Sequence, residues 1–223
     1  METSLHRQLK HLYAEPNGQI EAPLDGYRID VANDGELVEI QHGSLAAIRD
    51  KVRKLLQNYR VRIVKPIIVR KRLIKQDCRG GKVIDRRWSP KRGTIFDLFD
   101  ELVYFTKVFP HPNLVLEAPL VTIEEWRRPG HGRRRRHRDN DFIIVDQKLA
   151  SIEPGATLRT AADLISLASV ELPERFHTGH LAEALDVPRW VAQRMAYCWR
   201  ETGGVRVVGK EGRALLYEMV KED

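Results

Sequence analysis

Asp30 and Glu39 are the residues whose type and spacing best suit chemistry. They flank Asn33-Asp34-Gly35, a strong tight-turn signal, within two runs that alternate like strands, Tyr27 to Ala32 and Glu36 to Gln41. A two-residue turn at Asp34-Gly35 fixes the register. Asn33 then faces Glu36, Ala32 faces Leu37, Val31 faces Val38, Asp30 faces Glu39 and Arg28 faces Gln41. One face becomes apolar, with Tyr27, Ile29, Val31, Val38 and Ile40, and the other carries Arg28, Asp30, Glu39 and Gln41. Carboxylates placed opposite each other have Cβ atoms about 5 Å apart and repel. A shared proton, a basic neighbour such as Arg28 or a divalent cation would offset that repulsion; so, more weakly, would water and arginine around a solvent-facing pair. If repulsion dominates in the metal-free protein, removing the Asp30 charge leaves stability unchanged or slightly higher.

The surrounding elements must hold this hairpin. Ser4 to Tyr13 reads as a helix with Leu5, Leu9 and Leu12 on one face. Ser44 is placed to cap a helix running to about Asn58, and Val61 to Arg70 reads as a strand in which Pro66 marks a bulge or an edge. Arg79 to Gly93 reads as a Gly- and Arg-rich loop. Thr94, with Asp97 three residues on, opens another helix carrying Phe96, Phe99, Leu102 and Val103. Leu114 to Ile123 and Phe142 to Val145 are strand-like, with an arginine cluster on the connection between them.

Pro154-Gly155 reads as a linker, which makes residues 1–153 one α/β domain and 154–223 a second, smaller one. In the second, helices from about Thr160, from Thr178 and from beyond Pro188 precede a hairpin of Val205 to Val208 and Ala214 to Met219. Three helices followed by a hairpin is the order of a winged helix, a unit used for DNA or for protein contacts. On DNA, the third helix would offer Arg189, Gln193, Arg194 and Arg200, and the hairpin Arg206, Lys210 and Arg213.

Charge favours a polyanionic partner. The net charge of the 223 residues is +7. Sixteen Lys or Arg stand against three Asp between Asp50 and Arg92, and Arg127 to Arg138 holds seven arginines, including Arg133, Arg134, Arg135, Arg136 and Arg138, with no acid. Such clusters suit nucleic acid, and no basic amphipathic helix with an aromatic face supports a lipid surface. No apolar run is long enough to cross a bilayer, no signal peptide opens the chain, and Cys78 and Cys198 have neither zinc nor disulfide-framework spacing. A cytoplasmic protein is expected.

The stretch Gly26-Tyr27-Arg28-Ile29-Asp30-Val31, followed by Leu37-Val38-Glu39-Ile40-Gln41, resembles the core of the PD-(D/E)XK nucleases, the restriction-endonuclease-like superfamily. The order of helix, strand with Asp, strand with Glu, helix and strand is similar as well. The resemblance covers Met1 to about Arg72 well and the rest of the first domain loosely. The whole chain also resembles a bacterial family that joins such a core to a C-terminal winged helix. The resemblance implies a mixed sheet flanked by helices and metal-assisted hydrolysis of phosphodiesters. Asp30 and Glu39 would be the motif carboxylates that hold Mg²⁺ or Mn²⁺. Gln41 stands where lysine is usual, and Glu2 matches an acid that some members carry at the first helix. Glutamine can orient a water but brings no charge; Arg28, across the hairpin, could supply it.

Three readings follow: a metal-dependent endonuclease, a nuclease-fold DNA-binding protein without chemistry, and a protein-interaction module. DNA is the expected partner, RNA and a homodimer remain compatible, and no membrane is expected. Neutralising Arg133 through Arg136 is expected to weaken DNA affinity alike across sequences. The slope of log affinity against log salt should flatten by about 0.9 for each phosphate that is no longer neutralised. Unchanged affinity in a salt-titrated binding assay would contradict a phosphate-binding role for this run.

Overall fold

The computed structural model describes residues 2–130 and 141–220. Arg133, Arg134, Arg135, Arg136 and Arg138 lie outside the described residues. Among the latter, no helix is long and apolar enough to cross a membrane.

The protein is a mixed α/β structure with a large mixed sheet flanked by helices. Helix α1 (Ser4–Tyr13) is capped by Thr3, whose side chain accepts from the His6 N–H. Strands β1 (Gln19–Leu24), β2 (Tyr27–Asn33) and β3 (Glu36–Ile40) form an antiparallel meander, with Gly35 at φ 76° in the second turn. Strand β1, absent from the sequence reading, pairs with β2 along its length. The helix expected after Ser44 is a 3₁₀ turn, Leu45–Ile48, continued by α2 (Arg49–Leu55).

Strands β4 (Val61–Val64) and β5 (Ile67–Gln76) are one line interrupted at Lys65-Pro66, since both run parallel to β7 (Leu114–Pro129) in nearly the same register. Proline has no N–H for a ladder, so the break falls there, between the stretch paired with β3 and the stretch paired with β6 (Val83–Trp88). The outer side of this line is covered in turn by β3 on β4 and by β6 on β5. Strand β6 replaces part of the expected loop. Helix α3 (Leu98–Leu102) follows a 3₁₀ turn, Ile95–Asp97, and Thr94 makes no side-chain cap there.

Strand β8 (Phe142–Leu158) is antiparallel to β7 and runs through the expected linker. Ala118 pairs with Ala156 and Leu120 with Glu153, so Pro154 and Gly155 bulge opposite Pro119. A Cβ on Gly155 would sit 1.9 Å from the Ala118 carbonyl oxygen, so the backbones approach where only glycine fits. The boundary expected after residue 153 therefore moves to Leu158. Beyond it come α4 (Ala161–Ser166), with a Thr160–Asp163 capping box, α5 (Thr178–Ala184) and α6 (Arg189–Glu201). The hairpin β9 (Val205–Glu211) and β10 (Ala214–Met219) ends the described chain.

Two apolar cores sandwich the sheet. Leu5 and Leu9 of α1 cover Val31, Val38, Ile40, Val64, Val121 and Ile123 on one face. On the other, Ile29, Leu37 and Ile63 join α2, α3 and the C-terminal helices around Phe99, Phe105 and Trp199 in a single core. The C-terminal unit is thus packed onto the sheet and not strung from it. Gly155→Ala is expected to cost about 1–3 kcal/mol in urea unfolding. Gly209→Ala, where the added Cβ meets nothing within 4 Å, is expected to be near neutral. Equal effects would contradict the close approach at Ala118.

Candidate active site

The hairpin keeps its expected register at Asn33–Glu36, Ala32–Leu37 and Val31–Val38, and then its strands part. Asp30 and Glu39 do not become a ladder pair, nor do Arg28 and Gln41. Instead the Asp30 carboxylate accepts from the Ile40 backbone N–H (2.9 Å), standing where a partner strand would. Strand β3 is released to pair parallel with β4.

The expected single apolar face is also split. Residues two apart on a regular strand share a face, yet Ile29 belongs to the core under α2 and Val31 to the core under α1. The irregularity lies at Glu21, opposite Asp30 on β1. Glu21 adopts φ 59°, and the Glu21–Asp30 pair is missing from an otherwise even β1–β2 register. A non-glycine residue held there costs of order 1–3 kcal/mol. Asp30 is thereby turned toward α1, while Glu39 stays with Leu37 on the α2 side. The two carboxylates are neighbours through the backbone but do not face each other across one surface.

On the α1 side, Asp30 lines a cleft of about 610 Å³ with Glu2, His6, Lys10, Glu21, Arg28, Gln41 and His42. His6 Nε2 lies 2.9 Å from Asp30 Oδ1. Lys10, only 2% exposed, bridges Glu2 and Glu21, the latter at 2.6 Å, and Arg28 also binds Glu21. Gln41 donates its amide to the Ser44 carbonyl. Glu39 lies behind this cleft, 4% exposed, with Lys51 of α2 at 2.6 Å; the same ammonium reaches the Arg28 carbonyl.

The charges respond differently. Burial pushes the Asp30 carboxyl up, but the His6 and Ile40 hydrogen bonds, with Lys10 nearby, bring it below the ordinary aspartate value. Burial raises Glu39, and Asp30 adds to the rise; Lys51 and the Asp30 N–H offset only part of it. Lys10 lowers Glu2, chiefly through their hydrogen bond. Burial, with Lys65 and Lys71 nearby, keeps His42 below the ordinary histidine range.

Of the four residues expected to act, Glu2, Asp30 and Gln41 meet at the cleft and Glu39 sits just behind it. His6, Lys10 and Glu21 were missed. Glu2, His6 and Lys10 are spaced four apart, a helical stripe beside Leu5 and Leu9 that was readable. Glu21 carried no local signal. Among the described residues no three His, Cys, Asp or Glu side chains are grouped to hold a metal ion.

The other candidates are dispersed. Arg189, Gln193 and Lys210 are exposed. Arg194 binds Asp100 of α3, Arg200 binds Glu201 (2.9 Å) and Arg206 binds Glu218 (3.2 Å). Part of the basic surplus between Asp50 and Arg92 is answered by acids of the adjoining strands. Arg62 binds Glu36 and Glu117, and Lys71 binds Glu125.

The sign of each carboxylate's effect on stability follows. The depressed Asp30 pKa contributes stability that is fully present above the ordinary aspartate value and is lost as pH falls through the depressed one. Glu39 acts oppositely: stability is lost as pH rises from the ordinary glutamate value through its raised one. Asp30→Asn is therefore expected to lower neutral-pH stability by about 1–3 kcal/mol, with the deficit shrinking in acid. This reverses the gain expected from repulsion alone. Urea unfolding across pH measures it, and a neutral-pH gain would contradict the assignment of partners.

Comparison with known proteins bears on family and not on chemistry. No solved structure matches the chain. A protein of Treponema pallidum (strain Nichols) described as "Uncharacterized protein" is 30% identical over 223 residues, covering 97% of this chain and 84% of the relative. The family described as Domain of unknown function (DUF8091) matches residues 3–159, ending one residue after β8. On both matches the chain belongs to the DUF8091 family.

Proposed function

We propose that the protein is a Mg²⁺- or Mn²⁺-dependent endonuclease that hydrolyses DNA phosphodiesters. In this reading the sheet is of the restriction-endonuclease-like kind, and α4, α5, α6 and the β9–β10 hairpin form a winged helix that holds DNA beside the cleft in the cytoplasm. The observation that carries it is the parting of β2 and β3 at Asp30, with Glu39 directly behind and Lys10, His6, Arg28 and Gln41 around the opening.

The donor set suits a hard cation. Asp30 and Glu39 offer carboxylate oxygens, with Glu39 turning from Lys51 toward the cleft to share an ion with Asp30. Mg²⁺ is commonly held by one or two carboxylates plus water and substrate phosphate. Burial and Asp30 both disfavour the Glu39 charge, and a dication would relieve both effects. When bound, such an ion polarises the phosphoryl group and lowers the pKa of a water. Lys10 holds positive charge beside Asp30, which Gln41 does not bring. Gln41, with its amide nitrogen committed to Ser44, keeps its oxygen to accept from a water. Arg28 lines the same opening and is available to a phosphate once it leaves Glu21.

A second reading, a DNA-binding protein without catalysis, is favoured by one observation. His6 is hydrogen-bonded to Asp30 and Lys51 is ion-paired with Glu39 from within the chain. Cleavage of plasmid, single-stranded and branched DNA with and without Mg²⁺ or Mn²⁺ separates the two. Wild type is expected to cut only with the ion, and Gln41→Lys to cut at least as well. Asp30→Asn is expected to lose more than the roughly 10–100-fold typical of removing a partner of a metal ligand. DNA binding without ion-dependent cleavage would overturn the enzyme in favour of the second reading.

A further inference from the structure

The interruption of the β4–β5 line leaves a second cavity. Strand β3 ends at Ile40 and β6 ends at Trp88, so the edge opposite Lys65-Pro66 is bare. Asp100 and Glu101 of α3 and Trp190 of α6 wall a half-open cleft of about 650 Å³ there, within the usual range of about 300–1,000 Å³ for ligand sites. His42 lines both this cavity and the carboxylate cleft. Its loop is fixed by Lys65, which donates to the His42 (3.2 Å) and Gly43 (2.5 Å) carbonyls.

The chemistry of the walls is divided. On the sheet side, Lys71 and Arg127 share the single buried carboxylate of Glu125, at 2.6 and 2.5 Å. Lys91 and Arg92 line the same space, with Lys91 near enough to Asp97 to favour its charge; Asp97, Asp100 and Glu101 supply the acidic part of the lining. From the opposite side, the first turn of α6 presents Trp190, 50% exposed, with the Arg194 guanidinium 4.7 Å from its ring. Arg194 is itself tied to Asp100, which fixes the platform against α3. The lining cations Lys65, Lys71, Lys91, Arg92 and Arg127 outnumber Asp97, Asp100 and Glu101, and cations facing an exposed indole suit phosphates and a base, respectively.

We propose that this cavity binds an unpaired stretch of DNA that continues from the carboxylate cleft past His42. One base stacks on Trp190 and the backbone runs along Lys91 and Arg92. A base within a duplex already has both faces stacked, so the preferred substrate is single-stranded DNA or DNA with a single-stranded segment next to the cut. This inference rests on the proposal that the first cleft takes DNA.

The test compares a single-stranded oligonucleotide with its duplex on the full chain, read by tryptophan fluorescence and by direct affinity. The single strand is expected to quench wild type, and the quenching is expected to disappear from the Trp190→Phe difference signal. Trp190→Ala should weaken single-strand binding by about 5- to 150-fold, the range for losing one stacked base, and leave duplex affinity nearly unchanged. Trp190→Phe should recover most of the affinity, and the double change Lys91→Ala, Arg92→Ala should flatten the salt dependence. Single-strand affinity unchanged in Trp190→Ala overturns this inference and leaves the nuclease proposal standing. Failure to bind DNA of either form overturns both.

Discussion

Where β2 and β3 part, the Asp30 carboxylate serves as the hydrogen-bond partner that the Ile40 amide would otherwise find in a strand. Ile40 is 1% exposed, so that N–H would be costly to leave unmade. The substitution has structural consequences on both sides. Strand β3 can turn from its antiparallel partner β2 to its parallel partner β4, and Glu39 is carried toward α2 and Lys51. The space so opened faces α1, whose Glu2, His6 and Lys10 become its wall. The cleft and the switch from antiparallel to parallel pairing thus share one cause.

Charge in this region is arranged in nested pairs. Lys10 is nearly sealed from solvent between two glutamates, and Glu21 also holds Arg28. Hydrogen bonds from His6 and the Ile40 N–H bring Asp30 below its ordinary value, whereas Lys51 and the Asp30 N–H offset only part of the burial that raises Glu39. The backbone strain at Glu21 lies against the same cleft, where such strain is often retained because the surroundings require it.

The parts legible in the sequence were those with local causes. Asn33-Asp34-Gly35 set the hairpin register, Thr3 and the Leu5/Leu9 spacing set α1, and Thr160 with Asp163 set α4. Distant partners hid the rest. Pro154-Gly155 looks like a linker until the Ala118 carbonyl is brought against it. Strand β6 has five exposed residues of six and no alternation to announce it. The run of cations before Arg92 loses part of its surplus once β7 brings Glu117, Glu124 and Glu125 alongside. The face taken by Asp30 depends on the φ angle of Glu21, which no spacing rule reaches.

The central claim is that Asp30 and Glu39 together receive a divalent cation. Calorimetric titration of Mn²⁺ into the full chain, alone and with an uncleavable DNA analogue, addresses it most directly. Binding is expected to be stronger with DNA present and to be abolished by Asp30→Asn and by Glu39→Gln. Absence of Mn²⁺ binding by wild type in both conditions, or binding that survives both substitutions, would contradict it.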